Sequence, residues 1–124
     1  MENINIFTAL AKTFQINGRS TRKEYWLFTL TVFIVFFLIG VYEGYHDPYG
    51  EKGLYVGDLL YIALLPTFIC LNARRLHDIS KSGWWQLILF VPLVGFILWI
   101  IWWTRDGTIG PNLYGPDPKG RDSI

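Results

Sequence analysis

WWQLILFVPLVGFILWIIWW, residues 84–103, is the stretch on which the architecture turns. It carries no formal charge, and as a helix rising 1.5 Å per residue it reaches roughly 30 Å, the thickness of a bilayer's hydrocarbon core. Trp84 and Trp85 open it, and Trp102 and Trp103 close it. Indole rings favour the two membrane–water interfaces, so length and flanks together predict a full crossing. The VPLVG at its centre (91–95) allows a kink, or the tip of a re-entrant hairpin that returns to the side it left. A crossing sends the C-terminal tail to the far side, whereas a hairpin leaves it beside the other polar segments.

Working outward, two more apolar runs precede this one. YWLFTLTVFIVFFLIGVY (25–42) has no charge and is bracketed by Tyr25, Trp26 and Tyr42, which predicts a transmembrane helix. The run over 54–73 contains Asp58 and Pro66. Pro66 predicts a kink, and Asp58 is either a helix-capping carboxylate near the start of the run or an intramembrane functional acid. Hydrophobic residues make up 52% of the chain and mean hydropathy is +0.29, which leaves too little charge to clothe a soluble domain of 124 residues. The lone Cys70 excludes an intramolecular disulfide and reads as a buried thiol. No continuous apolar core lies in the first 24 residues, so no removable targeting segment is expected.

The predicted fold is therefore an all-α membrane protein forming one domain over 1–124. Its parts are transmembrane helices at about 25–42, 54–73 and 84–103, and a Gly/Pro-rich tail over 104–124. Ahead of them Ile4, Phe7, Leu10, Ala11 and Phe14 recur at helical spacing between Asn5, Lys12 and Gln15, predicting an amphipathic interfacial helix over about 3–16 that ends at Asn17-Gly18. Thr21 and Glu24 have the spacing of a capping box, placing the start of the first long helix near Arg22.

Basic residues near membrane spans favour the cytoplasm. With three spans and an internal N-terminus, Lys12, Arg19, Arg22, Lys23, Arg74, Arg75 and Lys81 lie inside, while Lys52, Arg105, Lys119 and Arg121 lie outside. A re-entrant third segment leaves only Lys52 outside. Charge distribution thus favours the hairpin, and segment length with its tryptophan flanks favours the crossing, which is the architecture expected here.

The polar stretch LNARRLHDISKSGWW (71–85) concentrates charge between two apolar runs. Arg74 and Arg75 stand four and three residues before Asp78, so on one helix both reach that carboxylate. His77 beside them titrates near neutrality when unperturbed. Two readings stand: an ion pair that ends a helix, with Gly83 in the following turn, or a basic cradle built with Arg19, Arg22 and Lys23 for an anionic lipid headgroup or acidic partner. His46 and His77 fall in different loops, so no metal site is predicted, and no cofactor or nucleic acid is expected. His77 and Asp78 offer an acid–base pair, yet neither a nucleophile nor a metal stands with them, so no enzymatic activity is expected. In the tail, DGTIGPNLYGPDPKG (106–120) excludes a regular helix; Asn112, Tyr114, Gly115 and Asp117 predict a defined surface loop.

GRSTRKEYW (18–26), RRLHDISKSGWW (74–85) and GTIGPNLYGPDP (107–118), in this order, resemble the bacterial family known as domain of unknown function 805. The resemblance implies a small inner-membrane protein with no assigned activity, and it marks Arg19, Arg22, Tyr25, Trp26, Arg74, Arg75, His77, Asp78, Gly83, Trp84, Asn112, Tyr114, Gly115 and Asp117. The expected function is binding of anionic phospholipid or a membrane-protein partner through a basic cytoplasmic face. A homo-oligomeric channel or transporter subunit using Asp58 is the alternative. The N-terminus and the 72–83 loop are expected in the cytoplasm.

Overall fold

The computed structural model describes residues 7–121, and among these residues the chain is helical with no strand. α1 is a single turn, Thr8–Ala11; Ile4 and Asn5 of the expected amphipathic helix lie outside the described residues. α2 runs Arg22–His46 and α3 runs Val56–Asp78, both long and apolar enough to cross a membrane. Thr21 caps α2 by accepting the Glu24 N–H at 3.2 Å. The reciprocal half of that box is replaced, because the Glu24 carboxylate faces Arg74 instead. Pro66 lies inside α3 without ending it, and α3 extends through Asp78, carrying Arg74, Arg75, His77 and Asp78 on its last turns.

The two long helices run antiparallel. Phe28 packs on Phe68 with ring centroids 5.2 Å apart, and farther along Phe36 meets Tyr61 at 6.5 Å. At the distal end Gly57 lets α3 approach Ile39 and Glu43 of α2, and Glu43 accepts the Gly57 N–H. Burial is the reverse of a soluble protein's. Leu30, Phe33, Ile34, Phe37, Leu38 and Val41 are exposed, whereas Arg74 and Arg75 are 0% exposed and Asp78 1%. An arrangement that shows its apolar side chains and hides its charges suits a lipid surround.

Residues 84–103 do not form one helix. A 3₁₀ helix over Gly83–Phe90 and α4 over Val94–Thr104 are separated by a reversal at Val91–Leu93. At 2.0 Å per 3₁₀ residue and 1.5 Å per α residue, each arm is roughly 16 Å long, about half a hydrocarbon core. The tip is a tight turn in which the Val94 N–H donates to Pro92 O at 2.7 Å and Leu93 adopts φ +64°. A positive φ of this kind is strained for leucine. The N–H groups of Val91 and Gly95 find carbonyls within the hairpin, and Pro92 brings no donor. Gly95 closes the arms, since a Cβ there would collide with the Ile88 carbonyl.

The tryptophan pairs expected at opposite interfaces therefore meet. Trp85 lies edge-on to Trp102 at 5.9 Å, and the Lys81 ammonium sits over both rings. The expectation of a single spanning helix fails because Pro92 and the Leu93 turn break it, and because the groups at one end of the helix pair bind both of its ends. Replacing Gly95 by Ala is expected to destabilise the fold by about 1–3 kcal/mol through this overlap. Gly40→Ala, where an added Cβ meets nothing within 4 Å, is expected to be neutral. Thermal unfolding followed by near-UV circular dichroism in detergent measures the difference.

Candidate functional site

A helix leaves its last four carbonyls without intrahelical donors. α4 ends beside the start of α2 and the end of α3, and side chains from both supply what it lacks. Arg75 donates to Trp102 O and Arg105 O, Trp26 Nε1 to Trp103 O at 2.9 Å, and Arg22 Nη1 to Thr104 O at 3.2 Å. Cations at a helix C-terminus also suit its partial negative charge. Trp103, fully buried, donates its own N–H to Asn72, and Trp99 donates to the Tyr25 hydroxyl.

Asp78 is the hub of the second layer. Its Oδ1 accepts from Arg19 Nε at 2.9 Å and its Oδ2 from Arg75 Nη1 at 3.1 Å, all three side chains being buried. The Asp78 main-chain oxygen takes the Thr108 N–H at 2.7 Å and, more weakly, Arg19 Nη2. Arg19 spends its remaining hydrogens on the carbonyls of Thr108, Gly110 and Gly115. Gly107 lies so close to the Asp78 carboxylate that any Cβ would overlap it.

The tail is thereby fixed as a defined loop. Asn112 and Gly115 pair reciprocally through their backbones, and Asn112 Nδ2 donates to His77 O at 2.9 Å. Tyr114 stacks flat on the His77 ring at 4.1 Å, and Asp117 accepts the Gly110 N–H. Burial opposes ionisation of Asp117, but hydrogen bonds from Arg121 and from the Lys119 and Gly110 backbones hold its carboxyl at about 2. Asp106 is likewise held well below the usual carboxylate range, first by the Lys119 ammonium and then by Arg121.

Arg74 departs from the spacing argument. It does not pair with Asp78; it crosses to Ser20 Oγ at 2.9 Å, to the carbonyls of Lys12 and Gln15, and to Glu24 at 3.4 Å. The Ser20 N–H returns a bond to Arg74 O. Arg19, Arg74 and Arg75 are thus enclosed and engaged within the fold, which removes them from the face expected to meet a ligand. Lys23 is exposed and Arg22 partly so. Gly83 packs on Ala73, where a Cβ would approach to 2.9 Å, and Trp84 is exposed. Asp58 sits away from this cluster at the start of α3, where its carboxylate accepts the Tyr55 N–H at 3.1 Å. Ser20, Asn72, Asp106, Gly107, Thr108 and Arg121 also build the cluster and had no distinguishing spacing in the sequence.

Asp78→Asn leaves Arg19 and Arg75 buried without a counter-charge. The expected loss is about 3 kcal/mol, with residues 107–121 becoming open to protease in detergent. The control is Asp106→Asn, whose side chain is 43% exposed and whose loss is expected to be small. Limited proteolysis with mass mapping compares the two.

The chain has named relatives. The chain is 41% identical over 109 residues to the Escherichia coli K12 protein named inner membrane protein YhaI, covering 83% of this chain and 85% of that one. It is 37% identical over 105 residues to inner membrane protein YhaH of the same strain, covering 82% and 85%. No solved structure matches it. Residues 13–116 match the family model described as protein of unknown function (DUF805), and the chain belongs to that family.

Proposed function

We propose that this protein is a non-enzymatic inner-membrane protein whose cytoplasmic cap binds anionic lipid headgroups. In this reading α2 and α3 cross the bilayer fully, and the hairpin over 83–104 enters one leaflet and returns. Both arms have half-bilayer length, and their ends meet the same pole of the helix pair. All 11 Lys and Arg residues except Lys52 then lie on one side, the distribution expected of a cytoplasmic face.

The observation that carries the proposal is a basic rim around that pole. Once the buried arginines are engaged internally, Arg22, Lys23, Arg105, Lys119 and Arg121 remain at least partly exposed around Asp106 and Asp117. Positive charge in excess at the membrane surface attracts anionic headgroups by roughly 1 kcal/mol per residue. A channel or transporter subunit has less support, because Asp58 serves as a helix-end acceptor rather than facing a path within the span. An acidic protein partner would meet the same rim.

Two measurements test this. A topology reporter fused after residue 124 is expected to read cytoplasmic, and a reading on the far side overturns the hairpin. Phosphatidylglycerol retained on the detergent-purified protein, followed by native mass spectrometry across a salt series, is expected to fall several-fold in Lys23→Glu/Arg105→Glu. Unchanged retention overturns lipid binding and leaves the acidic partner as the reading to pursue by cross-linking.

A further inference from the structure

A cleft at the cap has no part in the basic rim. It measures about 400 Å³ and lies where all three polar stretches approach one another, between Asn17, His77, Trp84, Gln86 and Tyr114. It continues to Ile69, which stands eight residues before His77 on α3, or about 12 Å toward the apolar part of that helix. Among the described residues, no Lys, Arg, Asp or Glu lines it.

The chemistry of its one imidazole is fixed by geometry. His77 Nδ1 lies 2.9 Å from the Gly18 carbonyl oxygen, which only accepts. The neutral ring therefore carries its hydrogen on Nδ1 and presents a bare lone pair at Nε2. Stacking on Tyr114, with 1° between the planes, prevents the ring from turning away. On the Nε2 side stands Gly83, where an added Cβ would come within 3.7 Å of that atom, and among the described residues no donor bonds to it.

We infer that this cleft binds a neutral membrane-borne amphiphile that donates a hydroxyl hydrogen to His77 Nε2 and lays its apolar part along Ile69. An anion finds no cation in the lining, and an ammonium is disfavoured by the buried Arg74 guanidinium one turn back on α3. A lipid alcohol such as a diacylglycerol and the hydroxyl of a quinol share the required chemistry. The aromatic and aliphatic walls suit either. This site does not depend on the basic rim, so failure of phosphatidylglycerol binding leaves it intact.

The test uses the full chain in neutral detergent, with His46→Ala so that His77 is the single histidine and with ¹⁵N-labelled imidazole. Dioctanoylglycerol and a short-chain ubiquinol kept anaerobic are titrated separately, each beside its fully O-methylated ether, which keeps the skeleton and has no donor. At least one of the two alcohols is expected to shift the His77 Nε2 resonance saturably, and the alcohol that does so identifies the source. Its ether is expected to bind about tenfold or more weakly, since a buried acceptor facing no donor is penalised. His77→Phe, which keeps a stacking ring, is expected to lose the difference between alcohol and ether. Equal affinity of alcohol and ether, or no saturable shift with either alcohol, overturns the assignment without relying on the stability of any variant at His77.

Discussion

Unspent carbonyls at the ends of two helices set the terms for the rest of this molecule. α3 and α4 finish side by side in a setting with little access to water, and each leaves acceptors that must find donors. Arginine suits this role because one guanidinium carries five N–H groups in a planar fork. Arg75 joins the end of α4 to Asp78, and Arg19 joins Asp78 to three carbonyls of the tail. Two buried carboxylates, Asp78 between Arg19 and Arg75 and Glu24 beside Arg74, offset two of the three positive charges imported with these donors. The resulting network is closed on itself, and its cost in desolvation is offset by its near-complete hydrogen bonding.

This explains why charge is concentrated between greasy segments. The arginines of the 71–85 stretch act inward, tying three distant parts of the chain together, whereas Arg22, Lys23 and Arg105, on other segments, face outward at least in part. A positively charged side chain in such a protein therefore has two separate uses, and burial distinguishes them. The relatives named inner membrane proteins and the two helices long and apolar enough to cross a bilayer agree on a membrane setting, without stating what the chain binds.

Much of the helix content was legible because long apolar runs with aromatic flanks have few alternatives. The start of α2 was legible through Thr21 and the bond it makes three residues on. The hairpin was not, since an uncharged run of twenty residues with tryptophans at both ends satisfies a crossing and a reversal equally well. Its decisive feature, positive φ at Leu93, occurs at a residue that gives no local signal for it. Charge distribution did point the right way for a tail that packs at the pole where α2 begins. Arg74 was misassigned because spacing along one helix says nothing of Ser20 and Glu24 on another segment, whose claims prove stronger. The tail's turn residues marked a loop, while its anchoring by Arg19 depends on a partner nearly ninety positions away.

The direction of synthesis gives the buried Arg19–Asp78–Arg75 trio a further meaning. Both arginines and the aspartate leave the ribosome before residues 108–115, which finish the cluster. A growing chain must therefore hold a guanidinium with idle hydrogens next to the bilayer until Thr108, Gly110 and Gly115 emerge to occupy them. Maturation of the polar pole therefore waits for the segment after Asp106, and a product cut short before position 107 keeps a buried guanidinium without three of its acceptors.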